Sequence, residues 1–495
     1  MAHWVNIGCL LLFIFWLSGC SSIKPYYAIP SGDGLSNPLP ADDPMHTVYL
    51  TGEFDGGDSL SFFEQKFFAN LKADQTDKTL VFLGNVIPHP SAEMEVSVQR
   101  IKTYADRMRP LIADAEVKTY WIPGNREWRN DQRFAYEHVK AVESILEAYF
   151  GNNVFLPSNG CGEPVRIELA EGLQLILLDS EWWLHSKQNE NAVLNDCELL
   201  DQEEILANLE GYLARHKNDQ MIIAAHHPLY DNGVNGGNFP AKDHLFPFSR
   251  VHRKLMIPVP FAGSVLSGVS KAIGARQQFS HPLNQAYRRS LINIFANYDD
   301  LIVASAHEQN LQYFEVDGNH FLVSGGGMEA DYVRRRNKAA FTFQQTGFTR
   351  ISYYENGAVW MEQFAWINGE FRPMLRVQIR AERAEKMRFE VQLDPEDAPT
   401  FIDTMASNNY DAVKSWKFFF GEHFRDEWKT TVRFPVVFLD TLKGGLTPIR
   451  QGGGFQTKSL RLVDQNGRQY VLRSINKDAS KVVPSFLRGT FADVV

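Results

Sequence analysis

Between His46 and about Phe364 the chain alternates short apolar runs with longer segments of helical spacing. The short runs are HTVYLTG (46–52), TLVFLGN (79–85), VKTYWIPGN (117–125), LQLILLDS (173–180), QMIIAAHH (220–227) and LIVASAH (301–307). Between them lie SFFEQKFFANL (61–71), VQRIKTYADRMRPLI (98–112), RFAYEHVKAVESILEAYF (133–150) and DQEEILANLEGYLARH (201–216). Strand and helix periods taking turns predict β-α units in a layered α/β domain. LQYFEV, HFLVSG, FTRISYYE and AVWMEQF then follow without helical spacing, so the domain is expected to close with antiparallel strands over 311–364.

Two regions break this rhythm. Residues 233–282 read as an insertion, and its stretch LMIPVPFAGSVLSGVS (255–270) is uncharged yet carries two Pro and two Gly. It is too short and too interrupted to span a bilayer, which leaves a packed loop, a lid or a patch lying on a membrane. Residues 369–495 show strand-like alternation and form a smaller, mainly β domain in this reading. Asn466-Gly467 stands between two alternating runs, the signature of a tight hairpin. The Gly-rich QGGGF (451–455) has no following Gly-Lys-Ser/Thr and opens no helix, so it does not read as a phosphate loop.

At 495 residues and 44% apolar content, the chain is too long for one ordinary domain. A net charge of -9 argues against a broad nucleic-acid surface, and VRRRNK (333–338) reads as a solvated face. Residues 1–20 carry an apolar segment too short for a membrane span, which reads as an export signal. Its end, Leu17-Ser18-Gly19-Cys20, resembles a bacterial lipobox, although no Lys or Arg precedes it. That resemblance implies lipidation of Cys20, attachment to the envelope membrane by at least two acyl chains, and residues 21–45 as a Pro/Gly/Ser-rich tether. Ser21 in place of an Asp favours the outer membrane. Cys161 and Cys197 are the thiols left in the exported chain, and a disulfide between them is the expectation, two separate buried thiols the alternative.

The chemistry gathers at strand ends. Glu53 and Asp55, Asn85, Asn125, His226 with His227, and His307 with Gln309 follow five of the apolar runs. Open α/β sheets collect their functional groups just beyond the carboxyl ends of the strands, and these residue types bind cations.

In this order the residues resemble the calcineurin-like metallophosphoesterases, most nearly the branch of the purple and tartrate-resistant acid phosphatases. The likeness runs over about 46–365 and rests on PGNREW, AAHHPLYDNG and LVSGGG. It implies a layered fold, a β-sandwich flanked by helices. The family carries Gly-Asp after the first and second strands, Gly-Asn-His-Asp/Glu after the third, then a lone His and Gly-His-x-His. His226, His307 and Asn125 fall on ligands of one metal. Four reactive positions differ: Glu53 stands for the first Asp, Asn85 for the Asp that bridges two metals, Arg126 for the His credited with proton transfer, and Gln309 for the last His. Pro88 falls where the acid phosphatases have a Tyr.

The departures change the expected chemistry. Two divalent ions about 3.5 to 4 Å apart need bridging anions, and an Asn85 amide brings none. At most one divalent ion, Fe, Mn or Zn, is implied, with Glu53, Asp55, Asn85 and Gln309 as further oxygen donors. Arg126 cannot act as a proton donor to a leaving group. It either grips a phosphate or pairs with Glu53 or Asp55 in place of a metal. Two functions follow from the resemblance: an envelope phosphoesterase acting on a phosphorylated small molecule, or an inactive relative, holding no metal, that serves as an anchored scaffold or anion binder.

Overall fold

A computed structural model describes residues 24–381, apart from 29–33, 36, 55, 58–59, 132, 186–196, 200, 241–275, 328–329 and 336–337, together with five strands between 390 and 475. The chain divides into two units, 1–382 and 383–495. Cys20, Asp55 and the apolar stretch 255–270 lie outside the described residues.

The apolar runs become β2 (His46–Thr51), β3 (Lys78–Phe82), β4 (Lys118–Trp121), β6 (Leu173–Leu178), β7 (Gln220–Ala225) and β8 (Ile302–Ser305). The helical segments become α1 (Phe62–Ala73), α2 (Met94–Ala115), α3 (Ala135–Phe150) and α5 (Gln202–Arg215), with the short α4 (Ser180–Leu184) after β6. Local chemistry fixes several helix starts. Ser61 and Glu64 form a reciprocal cap on α1, and the Asp179 and Asp201 carboxylates accept the first free N–H groups of α4 and α5.

Two sheets result. One has the order β14-β13-β12-β2-β3-β4, the other β1-β11-β9-β10-β8-β7-β6-β5. Strands β2, β3 and β4 run parallel, as do β6, β7, β8 and β10 (Asn319–Ser324); β9 (Leu311–Val316), β11 (Phe341–Phe343), β12 (Gly347–Tyr353) and β13 (Val359–Ile367) are antiparallel to their neighbours. Side chains alternate between two cores. Val48, Leu50, Val81, Leu83, Ile222, Ala224, Ile302 and Ile351 fill the space between the sheets. Tyr49, Leu80, Phe82, Met221 and Ile223 face outward onto the helices, where Phe63, Phe67 and Ile205 meet them. Burial on both faces explains why these strands read as continuous apolar runs. The architecture is the expected β-sandwich flanked by helices, with a smaller β unit after it.

The structure corrects the sequence reading in two places and adds two elements to it. Strand β14 (Glu370–Arg380) pairs with β13, so the first unit reaches Glu382 and does not stop at 368. The stretch read as a tether is partly built into the sheet: β1 (Tyr26–Tyr27) pairs with β11, Tyr26 opposite Thr342. Strand β5 (Val165–Ala170) and helix α6 (Pro282–Phe295) did not stand out in the sequence; α6 begins where the insertion was expected to end. In the second unit, strands Thr457–Val463 and Gln469–Ile475 pair antiparallel as the expected hairpin, its Asn466-Gly467 turn lying outside the described residues.

Candidate functional site

Strands β2, β3, β4, β7 and β8 deliver Glu53, Asn85, Asn125, His226 and His307 to one place. The chain turns sharply there. Glu53, Asn85 and His307 all hold left-handed backbone angles, with φ of 59°, 56° and 64°, a conformation in which a Glu or His is strained. Gly84 and Gly124 close the floor. A Cβ on Gly84, itself at φ 86°, would lie 2.7 Å from His226 Nδ1, and one on Gly124 2.8 Å from Asn85 Oδ1. Only glycine lets the β3 and β4 loops approach this closely.

The histidine side has one well-determined ring. His226 is fully buried, and its Nδ1 lies 2.7 Å from the Leu83 carbonyl, which can only accept. Burial, and after it the neighbouring His307, hold the imidazole well below its ordinary pKa. A neutral ring that donates through Nδ1 carries a bare lone pair on Nε2. That lone pair faces Asn125 Oδ1 at 3.0 Å, His307 Nδ1 at 3.1 Å and Glu53 Oε1 at 3.6 Å. Asn125 Oδ1 is the oxygen end of the amide, since its Nδ2 donates to Asn130. Ligands about 2.1 Å from a common ion lie about 3.0 to 3.4 Å from each other. These donors therefore fit one cation.

His227 belongs to the same group of rings: His226, His227 and His307 bring ligand atoms within 4.8 Å of one another and could hold a metal. Its own neighbours point elsewhere. Nδ1 lies 2.9 Å from Ser180 Oγ, and Nε2 faces Glu181 Oε2 at 3.4 Å. His226 Nε2 has its nearest donors in Asn125 Oδ1 and His307 Nδ1.

The opposite side is already filled. Asn85 Oδ1 accepts the Arg126 backbone N–H at 2.8 Å, which turns the amide nitrogen inward to donate to Glu53 Oε1 and Asn125 Oδ1, both at 2.7 Å. Expected as an oxygen ligand, Asn85 presents the wrong end of its amide for a cation. Arg126 is 4% exposed. Its Nη1 donates to the carbonyls of Phe54 (2.5 Å), Asn85 (3.1 Å) and Ile87 (3.3 Å), and its Nη2 stands 3.5 Å from Glu53 Oε2. Of the two roles read for Arg126, the pairing with Glu53 is the one its surroundings satisfy. Burial pushes the Glu53 carboxyl up to about 7, opposed by Arg126 and the Asn85 amide.

The Gln309 main-chain N–H goes to Asp331 Oδ2 at 3.3 Å, and its side-chain Oε1 borders Gly327 together with the Glu53 carbonyl; among the described residues no hydrogen bond ties that side chain to His226 or His307. Cys161 and Cys197 are bonded as expected, with Cα atoms 5.7 Å apart, which suits an oxidising compartment.

One residue of the site was not singled out in the sequence. Glu127, 2% exposed, accepts the backbone N–H groups of Asn85 and Gly124 at 2.9 Å, Val86 at 3.2 Å and Ile87 at 3.5 Å. One carboxylate thus fastens the β3 loop to the β4 loop. The available signal was its place in Gly124-Asn125-Arg126-Glu127, at the acidic position that ends the motif Gly-Asn-His-Asp/Glu.

A scan of protein-family models finds none that matches the chain, and a search of curated proteins finds no match. Solved structures to which the chain shows some similarity include GAP50, the anchor in the inner membrane complex of Plasmodium (TM-score 0.43, 14% identity, 69% of this chain and 91% of that one). They also include the purple acid phosphatase PPD1 from yellow lupin (Lupinus luteus) seeds (TM-score 0.42, 13% identity, 69% and 55%). PhoD is a third (TM-score 0.42, 11% identity, 69% and 70%). At such identities these likenesses say nothing of residues or reactions.

Proposed function

We propose that this chain is an envelope lipoprotein of metallophosphoesterase type that keeps one cation position, binds a phosphate-like anion there, and has lost two-metal hydrolysis. The observation that carries the reading is the filling of the second position. Where the family pattern has a metal-bridging Asp and a proton-transferring His, the Asn85 NH₂ points inward and the Arg126 guanidinium lies against Glu53. A cation built into the chain replaces a bound one, and Glu53 is neutralised without a metal.

His226 Nε2, His307 Nδ1 and Asn125 Oδ1 would hold a single Fe, Mn or Zn ion, which when bound supplies positive charge for a phosphate oxygen. The residues do the rest: Leu83 fixes the His226 tautomer, and Glu53 sets the charge beside the ligands. Lipidation at Cys20 and an outer-membrane location belong to the same proposal; the disulfide supports export. A one-metal hydrolase is the second reading, favoured by the three retained donor atoms.

Metal analysis of protein purified without chelator tests both, alongside phosphomonoester and phosphodiester assays. The proposal expects at most one metal per chain, lost in His226→Ala, and no turnover. Turnover by the unaltered chain would establish the hydrolase, while absence of metal would leave only a metal-free scaffold. Restoring Asn85→Asp, Arg126→His and Gln309→His together is expected to raise metal content. A folded triple variant with unchanged metal content would show that these residues do not surround one site.

A further inference from the structure

Arg335, within the cluster VRRRNK that reads in the sequence as a solvated face, lies beside the point where the described chain begins. The Arg335 guanidinium donates to the Lys24 carbonyl at 2.8 Å. Lys24, Arg334, Arg335 and Lys338 are all exposed. Just beyond Lys24 the chain is fastened: Tyr26 and Tyr27 pair with Thr342 and Phe341, Ala28 N–H donates to Ala340 at 2.8 Å, and the Tyr27 hydroxyl donates to the Met374 carbonyl at 2.7 Å. From Cys20 to Lys24 only four residue steps remain. Fully extended, they span at most about 14 Å.

From this we infer that the edge of the eight-stranded sheet around Lys24, Arg334, Arg335 and Lys338 is a docking face for anionic phospholipid headgroups, which turns the first unit to a fixed orientation on its membrane. The inference rests on the proposed lipidation of Cys20. An anchor on a long tether would leave the domain free to tumble, but a four-step leash attached to a sheet edge keeps that edge within about one to two Debye lengths of the headgroups. The charge distribution completes the argument. The whole chain carries a net charge of -9, so an anionic bilayer repels the molecule at large and attracts this corner. Such asymmetry selects an orientation more than it adds affinity, since the acyl chains already hold the protein. Each cation near an anionic surface is expected to shift the balance between apposed and free orientations by about fivefold.

The test uses the lipidated full chain reconstituted on vesicles of phosphatidylcholine alone or with phosphatidylglycerol. Flotation reports anchoring, and amide hydrogen exchange over residues 24–28 and 333–343 reports apposition. Slower exchange on the anionic vesicles is expected, abolished in about 1 M NaCl, where the Debye length is about 3 Å. The paired change Arg334→Gln with Lys338→Gln leaves the Arg335 bond to Lys24 intact and should weaken apposition about 25-fold. Unchanged exchange at residues 83–87 in this variant verifies its fold. Flotation with equal exchange on both vesicles overturns the docking face alone, whereas failure to float on either overturns the anchor and this inference together.

Discussion

Replacing Arg126 with Met separates a structural cation from a substrate-gripping one. The change removes three hydrogen bonds to carbonyls and leaves Glu53, 4% exposed, without its counter-charge. Removing one partner of a buried ion pair costs roughly 3 to 5 kcal/mol. The cost should depend on pH in a definite direction. The Glu53 carboxyl is pushed up to about 7 in the fold from its ordinary 4.5, so its contribution favours the fold below about pH 4.5 and is lost as pH rises through 7. Without Arg126, the strongest influence lowering that value is gone, and the penalty grows on the alkaline side. Urea unfolding should show a loss of roughly 3 to 5 kcal/mol at pH 8. Near pH 5, where a protonated Glu53 needs no cation, the loss should fall to about 2 kcal/mol, the lost hydrogen bonds alone. Adding Glu53→Gln to Arg126→Met should recover much of the stability at pH 8, giving a clear coupling energy in the double-mutant cycle. Equal losses at both pH values with additive single effects would refute the pairing. If inorganic phosphate raised the melting temperature of the unaltered chain but not of Arg126→Met, the guanidinium would be a ligand group after all.

Glu127→Gln should destabilise the fold by roughly 2 to 4 kcal/mol, because a neutral amide cannot accept four N–H groups as a carboxylate does; the amides of Asn85, Val86 and Gly124 should exchange faster in the folded protein. Asp179 is buried and its carboxyl is pushed up to about 7 from 3.8, so its contribution to stability falls as pH rises between those values, by up to about 4 kcal/mol. Asp179→Asn can accept only one of the N–H groups of Trp182 and Trp128 and turns its amide nitrogen toward the other, so it should be less stable than the unaltered chain at pH 4, but its melting temperature should vary less from pH 4 to 8. Opening the Cys161–Cys197 bond, which closes a separation of 36 residues, should cost about 4 kcal/mol in the chain-entropy view, read as a lower unfolding midpoint under dithiothreitol or in Cys161→Ser.

The strands that carry the site were legible because burial on both faces left them as unbroken apolar runs, and their polar ends stood out by contrast. Glu53, Asn85, Asn125, His226 and His307 were therefore found together. The direction of the Asn85 amide was not legible: it is set by the Arg126 N–H, a partner 41 residues away in sequence. Gln309 was expected at the site by its place in the motif order; the hold of Asp331 on its backbone N–H and carbonyl was not legible, since no spacing rule states the course of that loop. Strand β1 was hidden for another reason. Two tyrosines among prolines and glycines carry no periodicity, and they become a strand only because β11 offers an open edge. Helix α6 follows directly on an insertion with no apolar rhythm, so its start at His281-Pro282 lacked a frame.

The Glu127 carboxylate bears on how such a site changes over time. Because it ties the β3 and β4 loops through their main chains, their geometry does not depend on which side chains point inward or on whether an ion sits among them. The side chains at 85 and 126 can be exchanged while this fastening between the loops stays in place. The triple variant would therefore set its new side chains into a frame whose two loops are still joined.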